Sequence, residues 1–258
     1  MNPVGQQVEE LIRLLEAHKR IMIFTGAGVS VDSGIPDFRS GKGIWSRIDP
    51  MTLSRDRLMG LTGSVESFWS GMHAIWTAFG NPRPNPIHLA ISKLQELGRV
   101  SGIVTQNIDG LHQAGGNPGV IELHGNQRQC LCMDCGRTQP MKAIMERIGE
   151  GDAVPACLKC GGQIRPQIVL FGDPLSMDAM NRAQSVSCTS DLCLVLGSSL
   201  LVTPAADLPR IAYANGARLA ILTVSETPLD HLADFRVRRT LSQVFVPAVD
   251  ALDTEPES

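Results

Sequence analysis

The chain has 258 residues, of which 43% are apolar and 19% charged, and its formal net charge is −3. This composition is typical of a folded globular protein of one or two domains and excludes a mainly disordered chain. Proteins that bind duplexes carry a basic excess, and no apolar run here approaches the roughly 18 residues of a membrane span, so we expect neither nucleic acid nor membrane as a direct partner.

Helical and strand-like apolar patterns alternate along the sequence. The predicted elements are, in chain order, a helix over 6–19, a strand over 21–24, an irregular segment over 30–43, a helix over 64–79, a helix opened by Pro84 and Pro86 and ended by Gly98, strands over 102–105, 120–123, 168–171 and 192–196, a helix from Pro204 to near Gly216, and a strand over 219–224. Such alternation predicts an α/β protein with a parallel sheet.

Polar, glycine-containing loops follow three of the predicted strands, at 26–28, 106–109 and 197–199. In open α/β sheets, ligands bind in the crevice outside the carboxyl ends of the strands. We therefore expect the three loops to meet at one ligand site.

The first of these loops contains Gly26 and Gly28, which would let the backbone approach a pyrophosphate. A dinucleotide fingerprint of the dehydrogenase type would need a third glycine at position 31, where Val31 stands. The sequence therefore disfavours a standard NAD dehydrogenase.

Seven cysteines and an N-terminus that does not resemble a signal peptide indicate a reducing compartment, so we expect a cytoplasmic protein. Two Cys-x2-Cys pairs have the spacing of a zinc ribbon, and their members are Cys132, Cys135, Cys157 and Cys160. Four thiolates close the coordination sphere, so the zinc would be structural; the alternative is a set of buried free thiols. Cys130 lies too close to Cys132 for a usual pair, and Cys188 and Cys193 are predicted core residues.

Three polar residues follow strand ends without any sign of a metal: Asn107, Asp109 and His124. A histidine in such a place can act as a general base, because its usual pKa lies near neutrality. A satisfied structural imidazole is the alternative, and position alone does not decide between the two.

These loops, read as strings, resemble the sirtuin family of NAD-dependent protein lysine deacylases. Together with the two cysteine pairs, the matching strings occur in family order at 26–30 (GAGVS), 33–40 (SGIPDFRS), 105–112 (TQNIDGLH), 124–125 (HG), 168–173 (IVLFGD) and 197–199 (GSS). The resemblance covers residues 21 to 230 and implies one catalytic unit over 1–258. Its parts would be a Rossmann-like large domain over about 1–43, 84–128 and 166–250, an inserted smaller domain made of a helical insert over 44–83 and a zinc module over 129–165, and a loose tail over 251–258.

The resemblance also implies roles for individual residues. It places His124 as general base and Asn107 as the second catalytic residue. It places an acetylated lysine of a protein or peptide beside Val169, Phe171 and Gly172. The residues implied for binding NAD are Gly26, Ala27, Gly28, Ser30, Ile35, Asp37, Phe38, Arg39, Gln106, Asn107, Ile108, Asp109, Gly197, Ser198, Ser199 and Thr223.

The implied reaction removes acetyl groups from lysine side chains and gives lysine, nicotinamide and O-acetyl-ADP-ribose, with NAD as co-substrate and one structural Zn²⁺. Two alternatives use the same features. An NAD glycohydrolase or ADP-ribosyltransferase would use the same crevice, and a non-catalytic zinc-ribbon module would use the cysteines alone.

Several positions depart from the family pattern or bear on the acyl group. Thr223 stands where the family often has an asparagine for the adenosine ribose, and Asp173 and Thr203 replace a common glutamate and tyrosine. Members that prefer succinyl-lysine carry a Tyr and an Arg in the small-domain helix, and the corresponding stretch over 68–76 has neither. We therefore expect neutral acyl groups, acetyl first.

Overall fold

The computed structural model describes residues 3–41 and 43–252 of the chain. The helices are α1 (Pro3–Ala17), α2 (Arg55–Leu58), α3 (Val65–Phe79), α4 (Pro86–Glu96), α5 (Leu111–Ala114), α6 (Met141–Gly149), α7 (Met177–Thr189), α8 (Asp207–Ala214) and α9 (Leu241–Ala251). The strands are β1 (Ile21–Thr25), β2 (Val100–Thr105), β3 (Ile121–Glu122), β4 (Gly125–Cys132), β5 (Thr138–Pro140), β6 (Ile164–Ile168), β7 (Leu192–Leu196), β8 (Arg218–Leu222) and β9 (Phe235–Val237).

The larger sheet has six strands in the order β3-β2-β1-β7-β8-β9, and every neighbouring pair is parallel. All residues of the central strands β1 and β7 are buried. Strands covered on both faces read as continuous apolar runs, which is why their sequences show no polar alternation. The strand order reverses between β1 and β7, and ligands of such sheets bind at this switch point. The predicted α/β class with a parallel sheet is confirmed.

Helices cover both faces of the larger sheet. α1, α4 and α9 pack on one face, in a core that includes Leu15, Ile91 and Phe245. α7 and α8 pack on the other face, around Ala183 and Leu208. The loops at the carboxyl ends of the strands are therefore carried by a rigid support.

A second sheet of three antiparallel strands has the order β5-β4-β6. It shares one core with α3 and α6, represented by Trp69, Ile144 and Ile164. The helical insert and the cysteine-rich segment thus pack together. The division into two domains stays a prediction; this small sheet reaches beyond the expected bounds, from Gly125 to Ile168.

The strand predicted over 168–171 is wrong. The strand found here is β6, which ends at Ile168 and pairs with β4 in the small sheet. Beyond it, Phe171 forms an isolated bridge with Ser54. An apolar run of four residues is equally compatible with a buried strand and with an extended segment that lines a cavity, and the second is what the structure shows.

Other boundaries differ by a few residues. Pro204 lies in a turn over 203–206, and the helix predicted from it begins at Asp207. α9 continues to Ala251, one residue into the tail predicted over 251–258, and 253–258 lie outside the described residues. Of the helices within residues 3–41 and 43–252, none is long and apolar enough to cross a membrane.

Candidate active site

A cavity of about 1050 Å³ opens at the carboxyl ends of β1, β2, β7 and β8 and reaches the end of β6. It joins the three strand-end loops that were expected to meet. The predicted residues on its wall are Gly26, Ala27, Gly28, Asp37, Phe38, Arg39, Gln106, Asn107, Ile108, His124, Val169, Phe171, Gly172, Gly197, Ser198, Ser199 and Thr223. Ligand pockets usually measure about 300–1,000 Å³, so this cavity suits one large ligand or two side by side.

Three predicted residues are not on the cavity wall: Ser30, Ile35 and Asp109. Ser30 and Asp109 are connected to it through Asn107. Ser30 and Ile35 are buried, and the Ser30 hydroxyl donates to the Asp109 carboxylate at 2.7 Å. The Asn107 Nδ2 donates to Ser30 Oγ and to the Gly26 carbonyl, both at 3.2 Å. Burial raises the pKa of Asp109, while hydrogen bonds to its carboxylate lower it. Ser30 and Asp109 therefore fix the orientation of the Asn107 amide.

The two glycines after β1 allow a close contact with the loop after β7. A Cβ at Gly26 would lie 2.8 Å from the Ser198 Cα, and one at Gly28 would lie 2.6 Å from the Gly197 Cα. Their N–H groups donate to the Leu196 and Gly197 carbonyls at 3.1 and 2.9 Å. The glycines thus let the loops after β1 and β7 touch, and these two N–H groups are already used.

His124 has the hydrogen-bonding pattern of a base. Its Nδ1 lies 2.9 Å from the Gln106 carbonyl oxygen. Because a carbonyl only accepts, Nδ1 carries the proton of the neutral ring, and Nε2 is the nitrogen that can take one up. Burial lowers the pKa of His124, the charge of Arg39 lowers it further, and the bond to Gln106 acts in the opposite direction. The ring is therefore neutral at neutral pH.

One part of the cavity, called here the apolar wall, is formed by Phe38, Trp45, Leu53, Ile168, Leu170 and Phe171. The Trp45 ring centroid lies 5.3 Å from that of Phe38 and 5.9 Å from that of Phe171. The three rings connect the irregular segment after β1 to the segment after β6. An apolar chain without charge would lie against this wall at little cost in desolvation.

The stretch over 68–76, expected to face the acyl group, lies elsewhere. Its side chains Phe68, Trp69, Met72 and Ile75 are buried in the core of the small sheet. The His73 Nε2 lies near Gly149. No residue of this stretch is on the cavity wall. The stretch packs into the core instead, as helical apolar stripes commonly do.

Asp173, the residue that departs from the family glutamate, holds the segment after β6 in place. Its Oδ2 accepts from the Arg165 Nη2 at 2.6 Å and from the Leu170 N–H at 3.0 Å. The Arg165 Nη2 also donates to the Ile168 carbonyl at 3.3 Å. One oxygen of this shorter carboxylate thus helps to shape the apolar wall.

Sequence reasoning missed several wall residues. Trp45 and Leu53 lie in irregular segments whose sequences have no periodicity, so they carried no signal beyond their apolar character. At the other end, near Thr223, the wall contains Ser225, Glu226, Arg239 and Thr240. Only the tertiary structure brings these two segments together.

The four predicted metal ligands come together. The Sγ atoms of Cys132, Cys135, Cys157 and Cys160 all lie within 4.8 Å of one another. Cys132 and Cys160 are 3.5 Å apart, and Cys135 and Cys157 are 3.7 Å apart. Zn–S bonds of about 2.3 Å in a tetrahedron place the sulfurs about 3.8 Å apart, so the cluster fits one structural zinc.

The remaining cysteines stand apart from this cluster. The Cys130 Sγ lies 3.5 Å from the Met141 Sδ in the core of the small sheet, and burial raises the pKa of Cys130 to about 12. Cys193 is buried as predicted, whereas Cys188 is exposed, which corrects its assignment to the core.

Comparison with known proteins gives one family. The Sir2 family model matches residues 26–204. An NAD-dependent protein deacetylase of Caldivirga maquilingensis is 42% identical over 221 residues, which cover 86% of this chain and 84% of that one. One of Thermodesulfovibrio yellowstonii is 36% identical over 253 residues and 97% of each chain.

Solved structures agree with these sequence matches. A Sir2 variant with a deacetylated p53 peptide and 3′-O-acetyl ADP-ribose has a TM-score of 0.87 at 34% identity, covering 95% of this chain and 98% of that one. A Sir2 complex with a p53 peptide and NAD⁺ has a TM-score of 0.85 at 34% identity, with the same coverage. By sequence and by structure, this chain belongs to the Sir2 family.

Proposed function

We propose that the protein is an NAD-dependent protein deacetylase, which converts an acetylated lysine, NAD and one water molecule into lysine, nicotinamide and O-acetyl-ADP-ribose. The observation that carries this proposal is the single cavity in which polar strand-end loops and the apolar wall meet beside His124. A site of this kind holds a dinucleotide and an acyl chain together. A zinc module without catalysis would leave the cavity unexplained.

The polar part of the cavity fits NAD. Arg39 brings a positive charge to the wall, and Ser198, Ser199 and Thr223 bring hydroxyls. The Ser198 hydroxyl donates to the Gln106 Oε1 at 2.7 Å, which joins the loops after β2 and β7. Arginine is well suited to a pyrophosphate because its planar guanidinium donates several hydrogen bonds. We assign the pyrophosphate to Arg39 and the ribose hydroxyls to the serine and threonine side chains.

When bound, NAD supplies a glycosidic bond from which neutral nicotinamide can leave. Within the described residues, both hydrogen bonds of the Asn107 side chain start from Nδ2, which leaves Oδ1 to accept from a carboxamide. Phe38 and Trp45 lie on the wall of the same cavity. In the proposed complex these rings exclude water, which suppresses plain hydrolysis. The His124 Nε2 then takes the proton of a ribose hydroxyl.

The proposal is tested by asking whether nicotinamide release needs an acetylated peptide. We expect stoichiometric nicotinamide and deacetylated peptide with both substrates, and little nicotinamide when the peptide is unmodified or absent. Nicotinamide release at the same rate without peptide would identify a glycohydrolase instead.

The pH profile should reflect the lowered pKa of His124. The base works only in its neutral form, so kcat/KM for NAD should fall as the pH drops through that pKa. Because burial and Arg39 shift the pKa downward, the midpoint of this acid limb should lie below the usual histidine value of about 6.5. Steady-state rates across the acid range measure it, and a midpoint above the usual value would contradict the assignment.

The acyl preference should follow the apolar wall. Its six side chains offer no cation, so a succinyl carboxylate would lose hydration without gaining a partner. At saturating NAD, we expect kcat/KM for a succinyl-lysine peptide to be at least about tenfold below that of the acetyl peptide, since an unpaired buried charge costs more than about 1.4 kcal/mol. A butyryl peptide serves as the neutral control of similar length. Succinyl turnover equal to acetyl turnover would contradict this view of the wall.

The zinc site supports a cytoplasmic location, because its four thiolates must stay reduced to bind metal. The formal charge of −3 supports acetylated proteins, rather than nucleic acid, as direct partners.

A further inference from the structure

Three buried polar residues behind the cavity form a chain of hydrogen bonds that ends at Asn107. They are Thr25 at the end of β1, Thr105 at the end of β2 and His112 in α5, and they are 0%, 2% and 1% exposed. None of the three is on the cavity wall, as far as the described residues define it. Any effect of these three residues on the reaction must therefore pass through other residues that do line the cavity.

The bonds of this chain run in one direction. The His112 Nε2 lies 2.9 Å from the Thr25 Oγ1, and the Thr25 hydroxyl donates to the Thr105 Oγ1 at 2.8 Å. A hydroxyl has one proton, so Thr25 accepts from the His112 Nε2–H. The Thr105 Oγ1 also accepts the backbone N–H of Asn107 at 3.0 Å. The position of the backbone nitrogen of Asn107 is therefore determined by the chain of His112, Thr25 and Thr105.

The local geometry explains why this matters. Asn107 is the second residue after β2, and its N–H is bonded to a side chain two residues earlier, which turns the chain out of the sheet. A second set of bonds, from Asn107 Nδ2 to Gly26 and Ser30, fixes the other end of the residue. Rotation of the Thr105 side chain about its Cα–Cβ bond would break the bond to the Asn107 N–H and allow the amide that faces the cavity to tilt.

The surroundings of His112 keep its ring in place and uncharged. The His88 ring packs edge-on at a centroid distance of 5.0 Å, and Asn85 binds both His88 and the Val29 carbonyl. Burial lowers the pKa of His112 to about 3, and His88 contributes in the same direction. The ring is thus a fixed neutral donor across the working range of pH.

We propose that His112 is a positioning residue for the NAD half of the site, acting through Thr25 and Thr105 on the backbone of Asn107. This inference rests on the proposed function, because it assigns Asn107 to the nicotinamide. It predicts that the chain governs the affinity for NAD and nicotinamide and leaves the acetylated peptide unaffected. A purely structural role would change stability and both affinities together.

The test compares two pairs of variants. His112→Leu and Thr25→Val remove the donor and the relay, while His112→Gln and Thr25→Ser keep an N–H or a hydroxyl in place. The readouts are the Kd of NAD and the Kd of an acetyl-lysine peptide, both from titration calorimetry, and the inhibition constant of nicotinamide. Ser187→Ala is the matched control, since Ser187 is also buried but donates within α7, to the Ala183 carbonyl.

For His112→Leu and Thr25→Val, we expect the Kd of NAD and the inhibition constant of nicotinamide to rise about tenfold, the effect of one lost buried hydrogen bond. The peptide Kd should stay within about twofold of the wild-type value. His112→Gln and Thr25→Ser should retain most of the NAD affinity. The double variant should lose no more than either single variant, because both break the same chain.

Unchanged NAD affinity, an equal loss of peptide affinity, additive losses in the double variant or a tenfold loss in Ser187→Ala would each overturn the inference. If His112→Leu does not fold, the Thr25 pair decides by the same criteria. Wild-type protein that binds NAD but releases no nicotinamide with acetylated peptide would refute the proposed function, while the ratios of NAD affinity would still decide the role of His112.

Discussion

Replacement of His124 by alanine should reduce deacetylation by about 10²–10⁴-fold at saturating NAD, the usual contribution of a positioned base. The Nε2 of His124 is the unprotonated nitrogen, because Nδ1 donates to the Gln106 carbonyl. His124 itself lies on the cavity wall. Alanine leaves no group to take up the proton. The affinity for the acetylated peptide should stay nearly unchanged, so the loss should appear in kcat.

A second substitution separates the base from its support of the loop. In His124→Asn, the amide N–H can still donate to the Gln106 carbonyl, but no atom accepts a proton at neutral pH. We expect His124→Asn to be as inactive as His124→Ala. His18→Ala is the control, since the His18 Nδ1 bonds to the Leu14 carbonyl at 2.7 Å, at the end of α1. Recovery of turnover in His124→Asn would show that the ring acts by holding Gln106.

The central strands could be predicted from sequence because their burial is complete. The bounds of β7 were predicted to the residue, and β1 differs by one residue at its end. A strand covered on both faces needs apolar side chains at every position, and this leaves an unambiguous run between turns. The position of the ligand crevice follows from the same fact, since the loops after these strands must lie at one edge.

Two helices with weak apolar patterns, α7 and α9, could not be predicted from the sequence. The buried residues of α7 are Ala183 and Ser187, so this helix has almost no apolar stripe. α9 contains Pro247, a residue that normally ends or kinks a helix, yet the helix continues to Ala251. α7 packs against α8, β2 and β3, and α9 packs against α1 and α4. This packing supplies the stability that the local pattern does not indicate.

One part of the candidate site could be predicted from the sequence and another part could not. Cysteine spacing predicted four ligands that the structure brings together, because the two turns that place them are local. Gly136 N–H donates to the Cys132 carbonyl at 3.1 Å, and Gly161 N–H donates to the Cys157 carbonyl at 2.8 Å. The apolar wall, by contrast, is assembled from segments distant in sequence. Trp45 meets Phe171 only through the fold.

The zinc site connects the small sheet to the cavity. Cys132 is the last residue of β4, and the pair Cys157 and Cys160 precedes β6, whose end at Ile168 lies on the apolar wall. Four thiolates leave no position for a substrate, so the metal acts through folding rather than chemistry. Loss of zinc should therefore remove the support of the wall.

Cys132→Ala or Cys160→Ala should lower zinc content, solubility and thermal stability together, because binding of a structural zinc, about 10–16 kcal/mol in small zinc domains, contributes directly to folding. Metal analysis and thermal unfolding measure the zinc content and the thermal stability on the same sample. Cys188→Ser is the control, since this exposed thiol lies outside the cluster, and it should keep one zinc per chain. Cys130→Ala should also keep the zinc, because the Cys130 sulfur faces Met141.

A Cys132→Ala protein that retains stoichiometric zinc and folds as well as wild type would exclude this ligand set. A metal-free wild type with full activity would show instead that the cavity wall does not depend on the small sheet.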